Sequence, residues 1–357
     1  MMIYLLNFIS IPIYGVCIKD RKKLVALISI QMFLILALRA DNLGVDLENY
    51  KFHFNYYKEL SFTEVMSSFS IVGRARLSYH RLEWGFVFLS WLVGKLGLDF
   101  HMFLVVCAGI CMQSMGLFIY RYSKKPTISF LLFISLGGFG YFFGILRQSL
   151  GLAVFLFAIP ALKERKLWKY LLIVGIATLF HGTFLITVIL YFLANINIKK
   201  IYYVGIILVS ISIAIITPIL YRYIFSKIFG ILNMSEYSLE FQWNNMFLIM
   251  MLFLIFIFLF EKPKKQEDKM LNWGCMLALP TQAISFYISI MSRFSIGVFL
   301  VFSYVVLANV TEEMAMTDYS KKFFKITMFV LLLLFMIYQM SGEILTVPYR
   351  SVFSEKI

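Results

Sequence analysis

The chain has 357 residues, of which 61% are hydrophobic, 18% aromatic and only 15% charged, and its mean hydropathy is +0.84. A soluble protein carries about 25% charged residues, so the composition excludes a soluble enzyme and describes an all-α polytopic membrane protein, apolar enough for roughly 11 spans of about 20 residues. The 33 Lys and Arg against 19 Asp and Glu give +14, a balance that in a polytopic chain sets loop orientation first and does not call for nucleic acid.

The first apolar run, 2–18, has neither a basic leader nor a small-residue cleavage site and is expected to be a retained helix. Apolar runs follow at 24–38, 84–98, 102–120, 127–146, 148–162, 168–180, 183–195, 201–220, 246–260, 270–291, 294–310 and 325–341. None alternates with period two, so helices are the spanning elements of a single membrane domain, 1–357, with about 11–13 spanning or re-entrant helices. Pro160, Pro218 and Pro280 kink their runs, and the Gly140/Gly144 spacing beside Gly137 and Gly138 permits a close helix contact. Cys17, Cys107, Cys111 and Cys275 all lie in apolar runs and are expected to be packing residues; no metal site is expected.

Basic clusters at 19–23, 121–125, 163–169, 199–200, 262–269 and 321–325 hold 20 of the 33 basic residues and belong on the cytoplasmic side. Placing all of them there makes 84–98 a re-entrant or interfacial helix. It also makes 170–194 two short helices meeting at His181 and Gly182, unless that stretch is one kinked span. Both termini then lie outside, together with two long outer segments, 39–83 and 221–245. The first of these carries Arg39, Asp41, Asp46, Glu48, Tyr50, His53, Tyr56, Tyr57, Arg74, Arg76, His80, Arg81 and Glu83, a polar and aromatic set in a loop long enough to be functional.

Charged residues beside the apolar runs gather on this outer side. Arg39 ends the second run, Asp46 follows it, Arg147-Gln148 sits at a turn, His181 at an apex and Arg293 between two runs. Any one of them can simply snorkel to the surface. Several on the leaflet that the orientation rule keeps poor in basic residues point instead to an anionic ligand. Arginine presents paired planar donors to phosphate oxygens, and an acid or imidazole can take a proton from a sugar hydroxyl. Tyr50, Phe52, Phe54, Tyr56 and Tyr57 offer faces for pyranose rings or anchors at the interface. Glu83 either contacts substrate or is a helix N-terminal charge favoured by the dipole. His53, His80 and His101 lack metal-ligand spacing and receive no role.

Four segments carry a family resemblance. Arg39-Ala40-Asp41-Asn42-Leu43-Gly44-Val45-Asp46-Leu47-Glu48-Asn49-Tyr50 resembles the R…G-x-D-x-x-x-Y signature of the EpsG/Wzy-type exopolysaccharide and O-antigen polymerases. Glu83-Trp84-Gly85-Phe86 is similar to that family's E-x-G-F element. Arg147-Gln148-Ser149-Leu150-Gly151-Leu152-Ala153 resembles its R-Q-x-x-A helix start, and Leu179-Phe180-His181-Gly182-Thr183 its F-H-x-S/T element. The four stand in family order over 145 residues. Gly151 stands where the family often has a larger small residue, Gly182-Thr183 replaces a more usual serine-containing pair, and the C-terminal half matches only as a helix pattern with Arg293-Phe294.

The resemblance implies a GT-C-like enzyme of the cytoplasmic membrane. Such an enzyme transfers the growing glycan from undecaprenyl diphosphate to an incoming lipid-linked repeat unit on the outer face, for capsule, exopolysaccharide or O-antigen. It uses no nucleotide sugar and no cofactor; its partners are the lipid-linked oligosaccharides, the bilayer, and a chain-length regulator and flippase of the same pathway. The candidate catalytic residues are Asp46, His181 and Arg147, and the candidate substrate contacts are Arg39, Tyr50, Glu83, Gln148 and Arg293. Arg147, with Arg39 or Arg293, would hold the diphosphate, and Asp46 or His181 would deprotonate the acceptor. The rival classes are a lipid-linked oligosaccharide flippase or transporter, whose internal repeats the sequence does not display, and a polysaccharide ligase or O-acyltransferase.

Overall fold

The structure is a computed structural model that describes residues 1–70, 82–220, 245–260, 266–288, 291–314, 317–342 and 346–353. Arg74, Arg76, His80 and Arg81, and nearly all of the outer segment 221–245, lie outside the described residues. The chain divides into two compact units, Met1–Val188 with Met316–Ile357, and Ile189–Ala315. It is all-helical, as the composition requires; the single β-bridge among the described residues joins Arg39 to Ser351.

In the first unit the apolar runs become α1 (Met2–Cys17) and α2 (Arg21–Ala37), the second started by the Asp20 carboxylate, which accepts the Lys23 N–H. The outer segment is not a loop throughout. It folds into α3 (Leu47–Tyr57) and α4 (Phe62–Ser67), the latter held by a capping box between Ser61 and Glu64. In α3, Leu47, Tyr50, Phe54 and Tyr57 recur on one face and are buried, which is the spacing of a helix lying on a core. Next come α5 (Trp84–Lys95) and α6 (Phe100–Tyr122), the latter capped by Asp99. Phe54, Phe86 and Phe103 interlock α3, α5 and α6, with ring centroids 5.3 Å apart for Phe54–Phe103 and 5.4 Å for Phe86–Phe103.

The run expected as one helix over 127–146 is two. Gly137 takes φ +80°, so α7 (Pro126–Ser135) and α8 (Gly138–Gly144) meet at 58°. α9 (Leu146–Leu156) follows at once, and the chain breaks again before α10 (Ile159–Lys163), where Pro160 occupies the first turn. α11 (Leu167–Thr178) ends shortly before His181, and a 3-10 turn over Gly182–Thr187 leads into α12 (Val188–Leu193). The helical break expected at His181 and Gly182 is therefore present.

In the second unit, α13 (Lys200–Leu220) and α14 (Asn245–Phe260) pack on α15 (Gln266–Ile284). A short α16 (Ser292–Phe294) and a π-turn at Ser295–Phe299 precede α17 (Leu300–Glu313). Gly274 of α15 lets the Phe302 ring of α17 lie against its backbone.

The last helix, α18 (Asp318–Gly342), returns to the first unit and packs on α7. Beyond it the chain pairs with the end of α2: Ala40 N–H donates to Arg350 O and Val352 N–H to Leu38 O, both at 2.9 Å. Tyr349 Oη donates to Ile35 O at 2.9 Å, and Tyr4 Oη to Thr346 O at 2.8 Å. Among the described residues, Phe100–Tyr122, Lys200–Ile219, Ser292–Glu313 and Tyr319–Ser341 are long and apolar enough to cross a membrane, and the bent pair α7–α8, taken together, is either a broken span or a re-entrant loop. Several shorter apolar helices, α1 and α11 among them, accompany these.

Candidate functional site

Three glycines bring the motif segments of the first unit together. Gly85 N–H donates to Leu179 O at 2.8 Å, and a Cβ at Gly85 would fall 2.9 Å from that same oxygen. The Glu83-Trp84-Gly85-Phe86 turn thus lies directly on the Leu179-Phe180-His181 segment. Gly44, at φ +147°, presses on the backbone of Phe143, and a Cβ at Gly144 would stand 2.5 Å from Val45 O. The segment leading to Asp46 is seated on the end of α8, two residues before α9 begins. Gly140 has open space around it, so the close approach expected of the Gly140/Gly144 pair belongs to Gly144 alone.

Arg147, in the first turn of α9, is the centre of the cluster. Its Nη1 lies 2.5 Å from Glu83 Oε2, and its Nε donates to Tyr50 Oη at 3.4 Å with the guanidinium 5.9 Å from the Tyr50 ring centroid. Both charged side chains keep about a fifth of their surface open, 23% for Arg147 and 22% for Glu83, so solute can reach them. Glu83 starts α5 without making a side-chain cap, which leaves its carboxylate available to Arg147. Tyr50 is buried and packs on Phe86 at 5.0 Å. Burial raises its phenol above the ordinary tyrosine value, partly offset by Arg147, so it serves as a neutral acceptor.

A second chain of hydrogen bonds begins at the neighbouring Gln148. Its Nε2 donates to Thr183 Oγ1 at 3.4 Å, and Thr183 Oγ1 lies 2.9 Å from His181 Nδ1. The Thr183 N–H also donates to that Nδ1, at 3.3 Å. A nitrogen that accepts a backbone N–H is the unprotonated one of a neutral imidazole, so the ring proton of His181 sits on Nε2. The sequence alone does not single out Thr183; its only signal is the hydroxyl position of the F-H-x-S/T element.

Asp46 is exposed and precedes α3 with φ +66°, a left-handed conformation for a residue with a side chain, and it makes no capping bond. Its backbone carbonyl accepts the Tyr50 N–H at 2.9 Å, which sets Asp46 one helical turn before Tyr50. Arg39 is elsewhere. Its side chain is fully buried, with Nη1 donating to Phe142 O at 3.2 Å and the guanidinium 5.4 Å from the Phe143 ring centroid. Arg293 lies in α16, in the second unit.

Of the aromatic faces proposed for sugars, Tyr50, Phe54 and Tyr57 are core side chains, while Phe52 and Tyr56 are exposed. Asp41 pairs with Lys51 at 3.3 Å and lies 2.9 Å from His101 Nδ1, a polar hub that composition does not reveal. Among the described residues, no group of three or more His, Cys, Asp or Glu side chains is arranged to hold a metal ion.

The model of the EpsG family matches residues 22–351. The chain belongs to the EpsG family. It is accordingly a multi-pass membrane protein of exopolysaccharide biosynthesis. No match was found among curated proteins or among solved structures. The EpsG match takes in all four motif segments and the Ala40–Arg350 contact at the C-terminal end. Gly151 lies within the matched residues and is tightly enclosed. The Phe184 ring packs there, so that a Cβ would meet its Cδ2 at 2.7 Å.

Proposed function

We propose that this EpsG-family protein is the polymerase of lipid-linked repeat units, transferring the growing glycan from undecaprenyl diphosphate to the acceptor sugar of an incoming lipid-linked unit. The observation that carries the proposal is the partly open Arg147–Glu83–Tyr50 cluster, with Asp46 one helical turn before Tyr50. A guanidinium pinned on two sides and open on a third suits a phosphate that gains charge during the reaction.

In this reading, Asp46 accepts the proton of the acceptor hydroxyl. The hydroxyl oxygen bonds to the anomeric carbon of the donor glycan as the bond from that carbon to the diphosphate oxygen breaks. The electron pair leaves with undecaprenyl diphosphate, and Arg147 stabilises the charge. A diphosphate leaves without a proton donor, so one base suffices, unlike the carboxylate pair of glycoside hydrolysis. The Nδ1 of His181 is occupied by Thr183, which favours Asp46 over His181 as the base. Glu83 and Tyr50 hold Arg147 in place, and Gln148 braces Thr183.

Deletion of the gene followed by sizing of the surface glycan tests this. A polymerase defect leaves single repeat units displayed with no long chains. Loss of all surface glycan would mean a flippase. The Arg147→Lys and Asp46→Asn variants should each fail to restore long chains at normal protein level; full chain length from both would remove the assignment.

A further inference from the structure

Arg39 carries the strongest unexplained feature of the molecule. The side chain is fully buried, no carboxylate pairs with it among the described residues, and its Nε and Nη2 make no hydrogen bond there. A buried cation left in this way is costly, and an apolar side chain of similar volume often serves stability better. The fold retains it against three segments that are far apart in the chain. Its backbone bridges Ser351, with flanking hydrogen bonds from Ala40 N–H to Arg350 O and from Val352 N–H to Leu38 O. Its Nη1 takes Phe142 O, one of the last-turn carbonyls of α8 that have no partner within the helix, at the end where the helix dipole favours a cation.

The position of that contact is what matters. Phe142 is five residues before Arg147, and Gly144, two residues on, bears on Val45, the residue before Asp46. Both groups assigned to the reaction are thus mounted on the piece of backbone that Arg39 grips. A diphosphate has no access to a guanidinium with no exposed surface.

We propose that Arg39 is a positioning residue, which fixes Arg147 and Asp46 by clasping the α8 end to the α2 end and the returning segment 346–352, and that it does not touch substrate. The proposal rests on the polymerase reading for its account of Arg147 and Asp46. Its consequence is a separation of stability, binding and turnover. Removing the buried charge should leave the fold intact, while a displacement near 1 Å at the reacting groups is worth about 100-fold in rate.

The test uses the full-length protein in nanodiscs and measures three things: the thermal midpoint, binding of undecaprenyl diphosphate, and turnover of lipid-linked repeat units. Arg39→Met is expected to keep or raise the midpoint, to bind undecaprenyl diphosphate as the parent does, and to turn over about 100-fold more slowly. Arg39→Lys, which keeps one donor for Phe142 O, should recover part of the rate. Val352→Pro, which removes only the bond to Leu38 O, should slow turnover in the same binding-neutral way. Loss of undecaprenyl diphosphate binding in Arg39→Met would make Arg39 a ligand and overturn the proposal. So would a fall of midpoint and rate together in both Arg39 variants, or a full rate in Arg39→Met. Arg147→Lys is the control for the underlying reading. If it binds and turns over normally, the phosphate assignment fails, whereas Arg39→Met is still judged on its own three measurements.

Discussion

Arg147 Nη1 and Glu83 Oε2 stand 2.5 Å apart although 64 residues separate them in the chain. The pair is only partly open to solvent, so the guanidinium keeps its orientation before any substrate arrives. Arg147→Lys retains the charge but loses the planar fork. The expected result is a fall in turnover of about 100-fold or more, the magnitude typical of removing a donor to a developing oxyanion. Glu83→Gln, which keeps a hydrogen bond to Arg147, should cost less. The double variant should cost less than the sum of the two, because both act through one contact. In vitro turnover with purified lipid-linked units checks all three.

Asp46 separates conformation from chemistry. Its left-handed backbone costs about 1 kcal/mol for a residue with a side chain, and no capping bond compensates. Asp46→Gly should therefore raise the thermal midpoint while abolishing polymer formation. Asp46→Asn should abolish polymer formation with the midpoint unchanged. A Gly variant that is both more stable and fully active would deny Asp46 any part in the reaction.

For Tyr50 the direction of the pKa shift fixes the pH dependence. Burial raises the phenol above its ordinary value of about 10, so the folded state favours the neutral form. That contribution to stability is whole below the unfolded value and is lost as pH rises through the folded one. Tyr50→Phe is expected to lower turnover by the same factor at every pH between about 6 and 9, leaving the shape of the profile alone. A change of slope in that window would mean that the phenol titrates during the reaction.

Gly144 and Gly140 give a matched comparison within one helix. An alanine methyl at Gly144 meets the backbone of Val45, whereas at Gly140 it meets nothing within 4 Å. Gly144→Ala should shorten the glycan and lower the thermal midpoint; Gly140→Ala should do neither. Gly85→Ala, which faces Leu179 O, should behave like the first.

The helices were legible in the sequence because lipid leaves the backbone no alternative, and the hydropathy runs at 2–18, 102–120 and 201–220 became α1, α6 and α13 almost residue for residue. The breaks were less so. A run of apolar residues reads as continuous across Gly137, since hydropathy does not record φ. The cluster of Arg147, Glu83, Tyr50 and Gln148 was accessible through residue type and motif order. The distinction between Arg147, partly open, and Arg39, sealed, was not: two arginines at helix ends look alike until their neighbours are known. Likewise Phe54 and Phe52 differ by two positions on α3, which puts one in the core and the other outside. The pairing of 346–352 with the end of α2 has no periodic signal at all.

That pairing has a consequence for biogenesis. Tyr4 binds Thr346 and Ile35 binds Tyr349, across 342 and 314 positions of chain. At about 5–20 residues per second of synthesis, the first two helices spend some tens of seconds in the membrane before their partners exist. Through that interval Arg39 lacks the segment that holds it, and the α8 end lacks its clasp. The protein should therefore be unable to join sugars while still attached to the ribosome, and a chain interrupted after α18 should insert normally yet make no polymer.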